Sequence, residues 1–305
     1  MKAIMYHYVR PFNNDLPNLK ILNYDNFRKQ LDYFDSKFGF VHKEEFINSF
    51  NSWKKNKGIV LTFDDGFYCH YDFVFKELKK RNLWGIFYIP TQPYTEHKLL
   101  DVHRIHILLA KCDSKNILEF LKYNIDDSMF DKSTLNEFRT NTYSLQKNDE
   151  YTLMIKRALN YYVSYKYRTN VIDILMDKFI PNESKIFERF YLSKDQILEM
   201  HNSGMIIGSH SVNHPVMSRL SLKEQKSQIK NSFNFLEGIV KKFHHKTFCY
   251  PYGGFHSFNN HTEKILFQEN CLYSFNVDPR DIEEDDIRLR PQALPRYDCN
   301  QFLFG

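Results

Sequence analysis

Residues 58 to 67 read Gly58-Ile59-Val60-Leu61-Thr62-Phe63-Asp64-Asp65-Gly66-Phe67. The run from Ile59 to Phe63 is apolar and rich in β-branched residues, as a buried strand requires. It stops abruptly at two adjacent carboxylates. Two such groups at the mouth of a buried strand are costly unless a cation, a proton or an arginine neutralises them. Gly66 allows a sharp turn and a close backbone approach. Asp-Asp-Gly alone reads equally well as a plain turn between strand and helix, so the decision falls to the rest of the chain.

Working outward from this stretch, residues 2 to 6 form an expected first strand that delivers His7 to a strand end. Phe27, Leu31, Phe34 and Phe38 recur at helical spacing between Tyr24 and Phe38, with Asp25 near the start and Gly39 as the stop. A short strand at Phe40-Val41, a helix over 44–50, a helix over 71–81 and a strand over 85–90 follow. Strand and helix alternating in this way predict a parallel sheet, as a barrel or a doubly wound form.

From Thr91 to about Phe190 only helical patterns occur, over 99–110, 116–123 and 151–180, with 141–150 as a connection. Residues 91–190 are therefore expected to be a helical insert in an α/β domain made of 1–90 and 191–305. Within it, residues 151–170 carry Lys156, Arg157, Lys166 and Arg168 and no acid, a local charge of +4. This reads as a basic helix face, or as a contact for an anionic part of a substrate. Alternation resumes at Ser193, which with Gln196 forms a capping box. A strand at 205–207 runs into Gly208-Ser209-His210-Ser211-Val212-Asn213-His214-Pro215. A helix over 222–241 precedes a strand at 247–250, which runs into Pro251-Tyr252-Gly253-Gly254. A helix over 261–269, a strand over 272–276, an acidic turn over 281–286 and Leu294-Pro295-Arg296-Tyr297 complete the order.

Composition removes several classes of function. The net charge of +5 is modest for 305 residues, with no dense Lys/Arg stripe, and argues against nucleic-acid binding. Lys54-Lys55 and Lys241-Lys242 read as solvated surface. Five widely spaced cysteines with no Cys-x-x-Cys pair indicate neither a disulfide framework nor a thiolate zinc site. The N-terminal residues show no export signal and no long apolar span occurs, so the expected location is cytoplasmic, with peripheral membrane contact left open.

His210 and His214 are four residues apart, a spacing that in a helical turn places both imidazoles on one side. They follow an apolar strand and so share a sheet edge with the two aspartates. Two histidines and one aspartate make a sound ligand set for Zn²⁺, with positions left for water and substrate. Only one aspartate is needed as a ligand, and the other can accept a proton.

Thr62-Phe63-Asp64-Asp65-Gly66, His210-Ser211-Val212-Asn213-His214-Pro215 and Tyr250-Pro251-Tyr252-Gly253 together resemble the first three motifs of the polysaccharide deacetylase family (carbohydrate esterase family 4, the NodB-homology domain). The resemblance spans residues 1–90 and 190–300. It implies a deformed (β/α) barrel with its site at the C-terminal strand ends, and a metal-dependent N-deacetylase acting on an N-acetylated sugar. It implies further that Asp65, His210 and His214 hold the metal, that Asp64 takes the proton from the attacking water, and that a backbone N–H near Tyr252 stabilises the oxyanion.

Two features depart from the family pattern. No histidine follows His261 to serve as the late general acid, and His7 is the candidate instead. The family often carries an arginine just before the Pro of the third motif; Tyr250 stands there, and Arg296 or Arg10 is left to reach in, with Asp278 a candidate partner. His103 and His106 imitate a second metal pair but read as decoration of a helix. Nucleotide-linked, lipid-linked and oligosaccharide substrates are all open. So are an amidase of the same fold acting on a small amide and an inactive carbohydrate-binding relative.

Overall fold

The computed structural model describes the 305 residues except 13, 132–137, 140–141, 144–147 and 242. Seven strands form one sheet: β1 (Lys2–Tyr6), β2 (Ile59–Phe63), β3 (Ile86–Ile89), β4 (Ile206–Ser209), β5 (Lys246–Cys249), β6 (Cys271–Phe275) and β7 (Tyr297–Asp298). Their order is β6-β5-β4-β3-β2-β1-β7, and every pairing is parallel. The segment after β6 draws the two edges together. Leu294 bridges Phe275 at the end of β6, and Tyr297 and Asp298 then pair with Ile4 and Met5 of β1. The result is a deformed (β/α) barrel, as the motifs imply.

Side chains alternate across each strand, and this decides which residues face the site. Leu61 and Phe63 of β2 pack outward with Phe27, Leu31, Phe34, Val74 and Leu78 from the surrounding helices. Val60 joins an interior cluster with Ala3, Ile86, Tyr88, Cys249, Tyr273 and Phe275. Thr62 and Asp64 therefore follow Val60 onto the interior face. Tyr6 pairs with Phe63, so His7 is the residue that comes level with Asp64.

The outer helices largely follow the sequence periodicity, with instructive exceptions. Asn23 caps the helix Tyr24–Phe38, accepting from the Asp25 N–H, and Gly39 ends it at a φ of 68°. Ser193 and Gln196 form their capping box. The expected helix over 71–81 begins as a π-helix, His70–Phe75, before the α-helical Lys76–Lys80. The acidic turn contains a helix, Glu284–Leu289, whose Asp286 carboxylate holds the Arg280 guanidinium through bonds of 2.7 Å to each oxygen.

The chain divides into two compact units: Met1–Pro11, Ile21–Glu96 and Arg189–Gly305 form the first, and Phe12–Lys20 and His97–Glu188 the second. The stretch Phe12–Lys20 falls in the helical unit rather than with its sequence neighbours, tied there by the Asn18 N–H to the Ala110 carbonyl at 3.2 Å. In this unit the expected continuous helix over 151–180 is broken. Glu150–Arg157 passes into a π-helix, Ala158–Tyr162, and a new helix starts at Tyr165. Backbone pairing wins at the break: Val163 bridges Phe130, and the Ser164 N–H reaches the Met129 carbonyl at 2.8 Å. Of the connection expected over 141–150, residues 141 and 144–147 lie outside the described residues.

The basic face expected over 151–170 does not form. Arg168 is buried and donates to the Leu159 carbonyl at 2.7 Å and to Asn160 Oδ1 at 3.0 Å. Arg157 is spent on Thr142, and Lys156 lies 4.7 Å from the Tyr143 ring centroid. Three of the four cations thus satisfy their own unit, and only Lys166 is exposed. No described helix is long and apolar enough to cross a membrane.

Candidate active site

Asp64 and Asp65 are each 2% exposed, yet their surroundings differ completely. Asp64 ends the interior row of β2. Arg296 grips it in a two-point pair, Nη1 to Oδ1 at 2.9 Å and Nη2 to Oδ2 at 2.8 Å. The remaining guanidinium donors reach Thr62 Oγ1 at 3.0 Å, Cys249 Sγ at 3.0 Å and the Asn276 carbonyl at 3.3 Å. Burial by itself would raise the Asp64 carboxyl, but the Arg296 charge and hydrogen bonds outweigh it and hold the group at about 2. Asp64 is therefore a carboxylate at any physiological pH.

Arg296 reaches this place because residues 294–298 close the barrel between β6 and β1. Tyr250, which stands where the resemblance implies an arginine, points elsewhere. Its hydroxyl donates to the Gln292 carbonyl at 2.6 Å, and its ring stacks on Phe258. Asp278 pairs with Arg280 at 2.8 Å rather than with Arg296.

Asp65 follows with a φ of 79°, in the left-handed region. Its Oδ1 lies 3.5 Å from His210 Nε2 and 3.5 Å from His214 Nε2. Ligand atoms bonded to one tetrahedral zinc at about 2.0–2.2 Å would stand roughly 3.4 Å apart, so Asp65 Oδ1 stands from each imidazole at the separation one cation requires, with all three ligand atoms within 4.8 Å of one another. The His210 Nδ1–H donates to the Cys249 carbonyl at 2.8 Å, which turns the Nε2 lone pair toward Asp65. Burial lowers the His210 pKa, favouring the neutral imidazole that a metal needs. Among the described residues one further trio, Asp64, His210 and Cys249, also has ligand atoms within 4.8 Å of one another. It is the poorer fit, because Asp64 is already gripped by a guanidinium and burial keeps the Cys249 thiol protonated. His103 and His106 belong to neither trio.

His210 and His214 do not meet through a helical turn, as their spacing suggested. They lie on a loop in which Ser211 (φ 66°) and His214 (φ 57°) both adopt left-handed backbone. Hydrogen bonds enforce it. The Ser211 N–H donates to Ser209 Oγ at 3.1 Å and the His214 N–H to Ser211 Oγ at 3.1 Å. Gln228 Oε1, from the helix Leu222–Val240, accepts from the N–H groups of Val212 and Asn213 at 3.0 and 3.2 Å. Tyr252 (φ 67°) brings a fourth strained backbone to the same place, its ring 4.8 Å from that of His214. Each such residue costs roughly 1–3 kcal/mol and persists only where its surroundings impose it. Gly253 is obligatory: at a φ of +62° an added Cβ would come within 2.2 Å of Val277.

His7 is the first residue beyond β1, and its carbonyl accepts from His70 Nε2 at 2.7 Å. Burial lowers His70 to about 4, so it is a neutral donor that anchors this strand end. His70, Cys249, Thr62 and Gln228 are the partners that sequence reasoning missed. Of these, Thr62 and Cys249 carried a usable signal, since Thr62 opens the first motif and Cys249 lies in the strand leading into the third.

A polysaccharide deacetylase family model matches residues 148–268, a span that holds the second and third motifs. No curated protein sequence matches the chain. Among solved structures it is similar to the deacetylase PplD of Streptococcus pyogenes in complex with acetate, at 17% identity and a TM-score of 0.59, covering 98% of this chain and 91% of that one. IcaB of Ammonifex degensii follows at 17% identity and 0.56, covering 97% and 89%. A de-N-acetylase of Aggregatibacter actinomycetemcomitans matches at 14% identity and 0.54, covering 98% and 95%. Residues 148–268 thus match the polysaccharide deacetylase family model, and the solved deacetylase structures share the fold of the chain.

Proposed function

We propose that this protein is a metal-dependent hydrolase that removes the N-acetyl group from an amino sugar. One observation carries the reading: a carboxylate locked in its ionised form by Arg296 stands next to a second carboxylate that faces two imidazoles. A divalent cation, with Zn²⁺ the best match to the ligand set, would be held by Asp65, His210 and His214 and would supply Lewis acidity toward a water and toward the amide oxygen. Asp64, held in orientation by Arg296, accepts the proton that the attacking water gives up. The Tyr252 N–H donates to the oxygen on which negative charge develops. His7, level with Asp64, gives a proton to the departing nitrogen, so that the free amine and acetic acid leave, the acid then losing its proton to solvent as acetate. Acetate is the ligand named for PplD, and it is the acid that this cleavage would release.

The substrate class is an N-acetylated sugar, free or on a nucleotide, lipid or oligosaccharide carrier. Acetate release assayed across nucleotide-sugars, lipid-linked glycans and chitooligosaccharides tests the reading. An active wild type and inactive Asp64→Asn and His214→Ala variants, each with a native circular dichroism spectrum, are expected. Full activity in either variant overturns the assignment.

A further inference from the structure

We propose that Cys249 is a positioning residue for this reaction, joining the proton-accepting carboxylate to a metal-binding histidine through one residue; this rests on the deacetylase reading above. Cys249 is fully buried at the end of β5. Its Sγ accepts from Arg296 Nη2 at 3.0 Å, and its single S–H donates to Asp64 Oδ2 at 3.4 Å, the nearer and more charged of its two acceptors, the other being the Tyr250 carbonyl at 3.7 Å. Its backbone carbonyl accepts the His210 Nδ1–H at 2.8 Å.

The guanidinium accounting shows why the sulfur matters. Arginine has five N–H donors in a fixed planar fork. Arg296 uses Nε on the Asn276 carbonyl, the two Nη1 hydrogens on Thr62 Oγ1 and Asp64 Oδ1, and the two Nη2 hydrogens on Asp64 Oδ2 and Cys249 Sγ. Every donor is matched, and Cys249 supplies the fifth acceptor. A buried donor left unmatched costs more than a hydrogen bond contributes. Without the sulfur the fork can improve its bonding only by rotating, and rotation carries Asp64 with it. The same sulfur returns a hydrogen to Asp64 Oδ2 and closes a ring of three contacts. A thiol suits this place: it fills the space beside Tyr88, Tyr273 and Phe275 as an apolar group would, yet gives the guanidinium a soft acceptor. Burial raises its pKa well above the ordinary thiol value, so it carries no second negative charge beside Asp64.

The test combines kinetics with a spectroscopic readout that needs no turnover. Cys249→Ala is expected to lower kcat about 10-fold, the effect of one misplaced hydrogen-bonded group, with KM and bound metal unchanged. Cys249→Ser, which keeps a donor and an acceptor, is expected to recover most of kcat. In the protein without substrate, the S–H infrared band that disappears in Cys249→Ala should shift in Asp64→Asn. An unchanged kcat in Cys249→Ala overturns the proposal, as does a serine variant no better than alanine or an S–H band indifferent to Asp64→Asn. If the wild type releases no acetate from any sugar, the deacetylase reading fails instead, while the infrared band still reports whether Cys249 engages Asp64.

Discussion

Asp64 and Asp65 are neighbours in the chain and equally buried, yet the fold treats them in opposite ways. Asp64 faces a permanent cation with both oxygens. Asp65 faces two imidazoles, and burial favours the neutral form of His210. The first carboxylate has its neutralising charge built in, and in the proposed reading the second receives one from a bound cation. One peptide unit in left-handed conformation separates the two roles, since Asp64 stays on the interior row of β2 while Asp65 turns toward the histidine loop.

The contrast is broken most severely at Arg296. Arg296→Met would leave Asp64 buried without its partner, a change that typically costs about 3–5 kcal/mol, and activity should vanish with it. Chemical denaturation measures the first effect and acetate release the second. Next in size is the response of the Asp65 side to added zinc. A cation bound only by the folded state stabilises it by about 4 kcal/mol at a thousand times its Kd. Thermal unfolding of the wild type should therefore rise with zinc, and that of His214→Ala should rise far less. The smallest effect belongs to a surface counterpart of the buried pair. Arg290 also grips Glu263 at two points, Nε to Oε2 at 3.0 Å and Nη2 to Oε1 at 2.7 Å, but its side chain is 47% exposed. Arg290→Ala should cost roughly 0.2–1 kcal/mol by the same denaturation assay. A cost matching that of Arg296→Met would show that burial is not what separates the two pairs.

Much of this arrangement was legible before any coordinates. Strands of continuous apolar residues, the Asp-Asp-Gly and His-x-x-x-His stretches and the capping serines all act locally, so their residues announce themselves. The contacts that remained hidden depend on how far the sheet curls. Cys249 on β5 touches Asp64 beyond β2 because the barrel brings non-adjacent strands together, and nothing local in either segment encodes that curvature. Arg296 was nameable as a candidate, but its hold on Asp64 follows from barrel closure by residues 294–298. The histidine spacing suggested a helical turn, whereas the pairing is made by left-handed residues pinned by Ser209, Ser211 and Gln228. The basic stretch at 151–170 misled for a related reason. Charge read along a sequence does not reveal that Arg168 and Arg157 are consumed by backbone carbonyls of their own unit.

The most direct measurement is X-ray absorption at the zinc edge of the zinc-loaded protein. The account predicts a first shell of nitrogen and oxygen only, at about 2.0–2.2 Å, from Asp65, His210 and His214, and loss of one imidazole shell in His214→Ala. A sulfur neighbour at about 2.3 Å, removed by Cys249→Ser, would place the cation with Asp64, His210 and Cys249 and contradict the division of labour between the two aspartates.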